Sequence, residues 1–156
     1  MSNTTAELIW ERGDQNFLDK RYSRKHVWRF DGGLEVPASS SPGVVLPPLS
    51  DPSAIDPEEA LIAALSSCHM LWFIALAAKQ KYRVDEYRDT MEGEMGKNEK
   101  GGVAITRITL RPAVKFSGDN LPGWDDILAM HHEAHDLCYI ANSLNSEVLV
   151  EPVRPA

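Results

Sequence analysis

The alternation of apolar and polar positions breaks the chain into strand-like stretches on either side of one long, unbroken apolar run. Residues 6–11 read as a strand, followed by a polar connection over 13–19. Over 22–30, Tyr22, Arg24, His26, Trp28 and Phe30 share one parity, which predicts a second strand. Asp31-Gly32-Gly33 is a tight-turn signal, and 34–36 resumes on its far side. The segment 37–57 holds six prolines among serines, with few large apolar side chains apart from 44–46, and predicts an extended surface connector.

Asp56-Pro57-Glu58-Glu59 opens a helix well: an aspartate to cap it, a proline at the first helical position and acids in the first turn. From 60 to 78 almost every residue is apolar, and the run ends in Lys79-Gln80-Lys81. A helix apolar on all sides is either central to a core or inside a membrane. Ser66, Ser67, Cys68 and His69 interrupt its middle and much of the rest is alanine, so the expectation is a long buried central helix. Residues 84–94 and 103–116 then read as strands joined by the glycine-flanked loop 96–102. A second helix is expected from Asp125 or Asp126 to about Asn142, with Ile127, Leu128, His131, Ala134, His135 and Cys138 near one face. Residues 145–153 close the chain as a strand. Strands, helix, hairpin, helix and strand in that order predict one α+β domain spanning residues 1–156.

Composition adds little beyond class. Apolar residues make up 43% and charged residues 25% of 156, an ordinary globular balance. A net charge of -7 argues against nucleic acid or an anionic membrane as partner, since both call for a basic face. The first fourteen residues lack the basic start and apolar run of a secretory signal, so the expected location is cytoplasmic. Two cysteines in such a chain are either buried hydrophobes or working thiols.

Cys68, deep in the apolar helix, lies beyond reach of that helix's dipole, so a lowered thiol pKa would need a cation from elsewhere in the fold. Arg21, Arg24 and Lys25 are the candidates, each with a plain alternative as a solvated strand-end charge. His131 and His135, seven and three residues before Cys138, share its helical face, so a zinc site of two histidines and one cysteine is a competing reading. The run His131-His132-Glu133-Ala134-His135 nevertheless fails the zinc-protease helix signature, because Glu does not directly follow the first histidine of the spaced pair. A third reading is a binding protein for small apolar ligands whose cysteines are core.

Taken in order, three segments carry a resemblance. They are Arg21-Tyr22-Ser23-Arg24 before the glycine turn, Asp56-Pro57-Glu58-Glu59 leading to Cys68, and Ala134-His135-Asp136-Leu137-Cys138 followed by Ala141-Asn142-Ser143. Together they resemble the OsmC/Ohr family, the osmotically inducible and organic hydroperoxide resistance proteins of bacteria. The resemblance covers essentially the whole chain. It implies an OsmC-like fold of antiparallel sheets around the central helix, an intertwined homodimer, and a two-cysteine organic hydroperoxide reductase that uses no metal or organic cofactor. Its peroxidatic cysteine falls on Cys68, its resolving cysteine on Cys138, its helix-start glutamate on Glu58 and its catalytic arginine on Arg24, with Arg21 the alternative match. A cellular dithiol, such as a lipoyl group or another small thiol, would be the reductant. Many members have proline directly after the resolving cysteine where this chain has Tyr139, which places it nearer a divergent OsmC-like branch.

Overall fold

A computed structural model describes residues 2–156. The chain divides between Ala60 and Leu61 into two compact units. The first holds a three-stranded antiparallel sheet of β1 (Ala6–Ile9), β2 (His26–Phe30) and β3 (Glu35–Ala38), in that order. The expected glycine turn joins β2 to β3: Gly33 has φ 90° and donates to the Phe30 carbonyl at 2.9 Å, a backbone conformation open to glycine at little cost. The proline-rich segment is less free than its composition suggests. Ser39 N–H donates to the Ile55 carbonyl and Ile55 N–H to the Pro37 carbonyl, tying its end beside β3.

Helix α1 (Pro57–Lys79) starts as the sequence predicts. The Asp56 carboxylate accepts from Glu59 N–H at 2.8 Å and the Glu59 carboxylate accepts from Asp56 N–H at 3.3 Å, a reciprocal cap that satisfies two otherwise orphaned donors.

The second unit contains most of α1, the hairpin of β4 (Arg83–Lys97) and β5 (Val103–Ser117), α2 (Trp124–Leu137), a short 3-10 turn (Ala141–Ser143) and β6 (Glu147–Val150). The hairpin turn is tighter than the expected loop, because Asn98 closes it: its side chain accepts from the N–H groups of Lys100 and Gly102. The sheet order is β4-β5-β6, antiparallel between β4 and β5 but parallel between β5 and β6. The sheets are antiparallel as expected except for this one parallel pair. The connection from β5 to β6 runs through α2, and a helical crossover returns the chain in its original direction.

Two hydrophobic clusters fill this unit. Phe73, Leu76 and Ala77 of α1 meet Val114, Met130 and Ala134 in one; Leu65 meets Ile108, Leu110 and Cys138 in the other. The buried residues of α1 are Leu65, Ser66, His69, Phe73, Leu76 and Ala77, one stripe at helical spacing. Its opposite stripe, Ala63, Ala64, Ser67, Leu71, Ala75 and Ala78, is exposed in the single chain, with Leu71 at 56%. The helix expected to be buried all round is therefore covered on one side. Sheet and α2 supply a single layer, which can bury one face of a helix and no more.

Candidate active site

Cys68 sits one helical turn past Leu65 on α1 and is half-buried against the cluster that contains Cys138. Cys138 is fully buried, and both thiols are free. Two cysteines seventy positions apart in sequence are thus brought into one packed group. Burial raises the pKa of Cys138, and the adjacent Cys68 thiol raises it further. The Ala141 N–H, donating to Cys138 Sγ at 3.4 Å, works in the opposite direction.

Helix α2 ends before Cys138, short of the expected Asn142. Cys138 has φ -68° and ψ 113°, an extended conformation that ends the helix at Leu137. The following turn explains the early stop. Asn142 Nδ2 donates to the Asp136 carbonyl at 2.9 Å and Ser143 Oγ to the Tyr139 carbonyl at 2.7 Å, offering the backbone partners that compete with helix continuation. Tyr139, mostly exposed, lies edge-on to Trp72 of α1 with ring centroids 5.6 Å apart.

In the first unit, the Arg24 guanidinium donates to the carbonyls of Lys20 and Tyr22 and stacks 3.9 Å from the centre of the Tyr22 ring. Tyr22 in turn packs on Phe17 and Trp10. Arg24 is therefore held by its own loop, while Arg21 is exposed, its backbone N–H donating to Asp19. Glu58 Oε2 is buried with no hydrogen-bond partner, Arg24 included. A buried carboxylate oxygen without a partner carries a desolvation cost of about 1–3 kcal/mol or more.

The zinc grouping does not form. Cys138 packs with Cys68, whereas His131 packs face-on to Phe73 at 4.1 Å and exchanges a hydrogen bond with His69, Nε2 to Nδ1, at 2.9 Å. Among the described residues no three His, Cys, Asp or Glu side chains converge on a metal position. Sharing one helical face was not enough, because the helix stops before Cys138 and turns that residue toward α1.

The His69–His131 pair is what sequence reading missed. Both rings are almost fully buried. Burial pushes His69 down to about 4, helped by His135, and His131 down to about 3, helped by His69. Both are neutral at physiological pH. The signal was present: a histidine inside an otherwise apolar run must find a polar partner from another element. Beside it, Ser66 Oγ donates to Asp89, whose other oxygen accepts from Arg111 N–H at 2.7 Å.

A family model for OsmC-like proteins matches residues 50–152. The chain belongs to the OsmC-like family. Among solved structures it is similar to an OsmC-like protein of unknown function from Vibrio cholerae, at 50% identity and a TM-score of 0.96 over 98% of this chain and 100% of that one. It also resembles an organic hydroperoxide resistance protein from Elizabethkingia anophelis, 17% identical with a TM-score of 0.70 over 99% and 96% of the two chains. A Legionella pneumophila organic hydroperoxide resistance protein is 16% identical, with a TM-score of 0.68 over 100% and 98%. At that identity the likeness is one of fold. No curated protein matches by sequence.

Proposed function

We propose that this OsmC-like chain is a two-cysteine peroxidase that reduces organic hydroperoxides to alcohols. The observation that carries the reading is the packing of half-buried Cys68 against fully buried Cys138. One thiol is reachable by substrate, and the other is kept in wait beside it.

The Cys68 thiolate attacks the distal oxygen of ROOH; the O–O bond breaks, a proton goes to the departing alkoxide, and Cys68 becomes a sulfenic acid. The Cys138 thiol condenses with it, releasing water and forming a disulfide. A cellular dithiol then reduces the disulfide by thiol exchange, returning both cysteines and leaving as its own disulfide. Leu65, Trp72 and Ile140 pack around the thiols and Leu71 lies exposed on α1. Such apolar surroundings favour bulky organic peroxides over hydrogen peroxide, which gains nothing from them.

Arg24 and Glu58 complete the site in a homodimer, supplied by the partner chain. Two features favour this: the exposed apolar stripe of α1, and the partnerless Glu58 oxygen. In that arrangement Arg24 leaves its carbonyl partners, pairs with Glu58, and holds the Cys68 thiolate. No metal or organic cofactor takes part.

The test is an asymmetric variant pattern under an organic hydroperoxide. Cys68→Ser should abolish turnover. Cys138→Ser should consume about one equivalent of peroxide and then stall or over-oxidise. Loss of that first equivalent in Cys138→Ser would overturn the assigned roles.

A further inference from the structure

A cavity of about 280 Å³ lies against α2 and β6, with His131, His132 and His135 on one wall and Val148, Val150 and Pro152 on the other. It shares Val148 and Val150 with the surroundings of the thiol cluster, but neither cysteine lines it and nothing in the proposed peroxidase chemistry uses it. His131 is only 2% exposed. Its Nδ1 is committed to His69 Nε2 at 2.9 Å, so the nitrogen left for the cavity is Nε2, which is buried and has no hydrogen-bond partner. Nδ1 of His135 is also buried and without a partner.

His131 and His135 are four residues apart on α2 and so stand one above the other on the same face. Two imidazoles at that spacing can grip one ion between them. The hydrogen bond to His69 has a further consequence. When His131 donates its Nδ1 proton to His69 Nε2, its own Nε2 is a bare lone pair, the form in which imidazole binds metal. We propose that His131 and His135 form a binding site for a divalent first-row transition ion of the Zn²⁺, Ni²⁺ or Cu²⁺ class, with His69 holding His131 in the ligating tautomer.

The donor set decides the class. Imidazole suits these ions, and the valine and proline wall offers no carboxylates to a calcium or magnesium ion. With no third protein ligand converging, the remaining coordination positions belong to water. The ion is therefore exchangeable, unlike one in a closed four-ligand structural site. The His131–His135–Cys138 grouping is not revived, because Cys138 stays with Cys68.

The site can be tested by calorimetric titration of the full-length chain with ZnCl₂. It is best done in a Cys68→Ser, Cys138→Ser background so that thiols cannot contribute. One equivalent of Zn²⁺ per chain is expected. His135→Gln, at a partly buried position that leaves the hydrophobic clusters intact, should weaken it at least tenfold, and His131→Gln likewise. His69→Gln should weaken it by about 10-fold or more, the usual effect of removing a partner that orients a ligand. His26→Gln should leave it unchanged, since that residue lies on β2 and does not line the cavity. In the Cu²⁺ form, electron paramagnetic resonance should show coupling to two imidazole nitrogens. Absence of binding, binding that survives His135→Gln, or binding that disappears with the cysteines would each overturn the proposal. None of these outcomes bears on the peroxidase reading, which is tested by peroxide consumption.

Discussion

Lowering the pH from 8 to 5.5 should destabilise this protein by about 3 kcal/mol through two buried histidines, well before its carboxylates titrate. His69 and His131 have folded-state values of about 4 and about 3, against 6.5 for the free side chain. Between those limits the unfolded chain binds more protons than the folded one, so stability rises with pH. It is fully present above 6.5 and is lost as pH falls toward the folded values. At pH 5.5 both folded rings are still neutral, so the loss depends on the unfolded value and hardly on how far the folded values lie below it. Each ring then contributes RT ln(1 + 10), about 1.4 kcal/mol. The groups facing the pair are His135 on α2 and Tyr87 on β4, with Asp89 beside Tyr87. The neutral pair is what the folded state has room for: His69 Nδ1 and His131 Nε2 have no acceptor for an added proton. Urea unfolding followed by far-ultraviolet circular dichroism, at fixed protein concentration, measures the effect. A slope of about 1–3 kcal/mol per molar converts it into a midpoint drop of about 1–3 M. The His69→Gln, His131→Gln double variant should be less stable at pH 8 but should lose most of the pH dependence. An equal drop in wild type and double variant, or none in wild type, would refute the reasoning.

Three further outcomes are expected. Phe73→Ala, which removes a fully buried ring stacked on His131 and edge-on to Tyr87, should cost about 3–5 kcal/mol in chemical unfolding. Oxidation of the cysteine pair should change tryptophan fluorescence through the Trp72–Tyr139 contact, and Trp72→Phe should remove that change. Mixing Cys68→Ser with Arg24→Ala subunits, each inactive alone, should restore peroxidase activity in refolded mixtures; heterodimers that form without activity would refute a site shared between subunits.

Most of the fold was legible because its signals are local. Asp56 and Pro57 announce the start of α1, Gly33 and Asn98 close their turns, and alternation marks β4 and β5. Three features were not local. The parallel pairing of β6 depends on the path of the β5-to-β6 crossover, which alternation within a strand cannot reveal. The end of α2 depends on Asn142 and Ser143 reaching back to carbonyls, where helical periodicity alone would carry the helix on. The burial of α1 depends on how many layers surround it, and an all-apolar sequence says only that every face can be covered. The site divides the same way. The order and spacing of the cysteine segments singled out Cys68 and Cys138 as candidates, whereas His69 inside an apolar run signals only that a polar partner is needed; that the partner is His131, 62 positions away, no local pattern shows.

The early end of α2 also bears on how the proposed cycle can turn. A cysteine inside a packed helix is held by the ladder around it, and moving its sulfur the last distance into a disulfide would strain that ladder. Cys138 stands just past the last helical residue, and its N–H still bonds to His135 at 3.2 Å. Beyond it the chain is held by local hydrogen bonds, among them Asn142 N–H to the Cys138 carbonyl and the Asn142 and Ser143 side chains to Asp136 and Tyr139, and by the packing of Ile140, Ala141 and Leu144 on the cysteine cluster. Each hydrogen bond contributes about 0.5–1.5 kcal/mol net, so one or two can open while the apolar side chains of the turn stay packed. Cys68, in mid-helix among residues on both sides that pack into the core, has no such freedom. The movement needed for disulfide formation therefore falls on Cys138 and the turn after it. This matches the chemistry, in which the peroxidatic thiol must hold its geometry toward substrate while the resolving thiol comes to meet it.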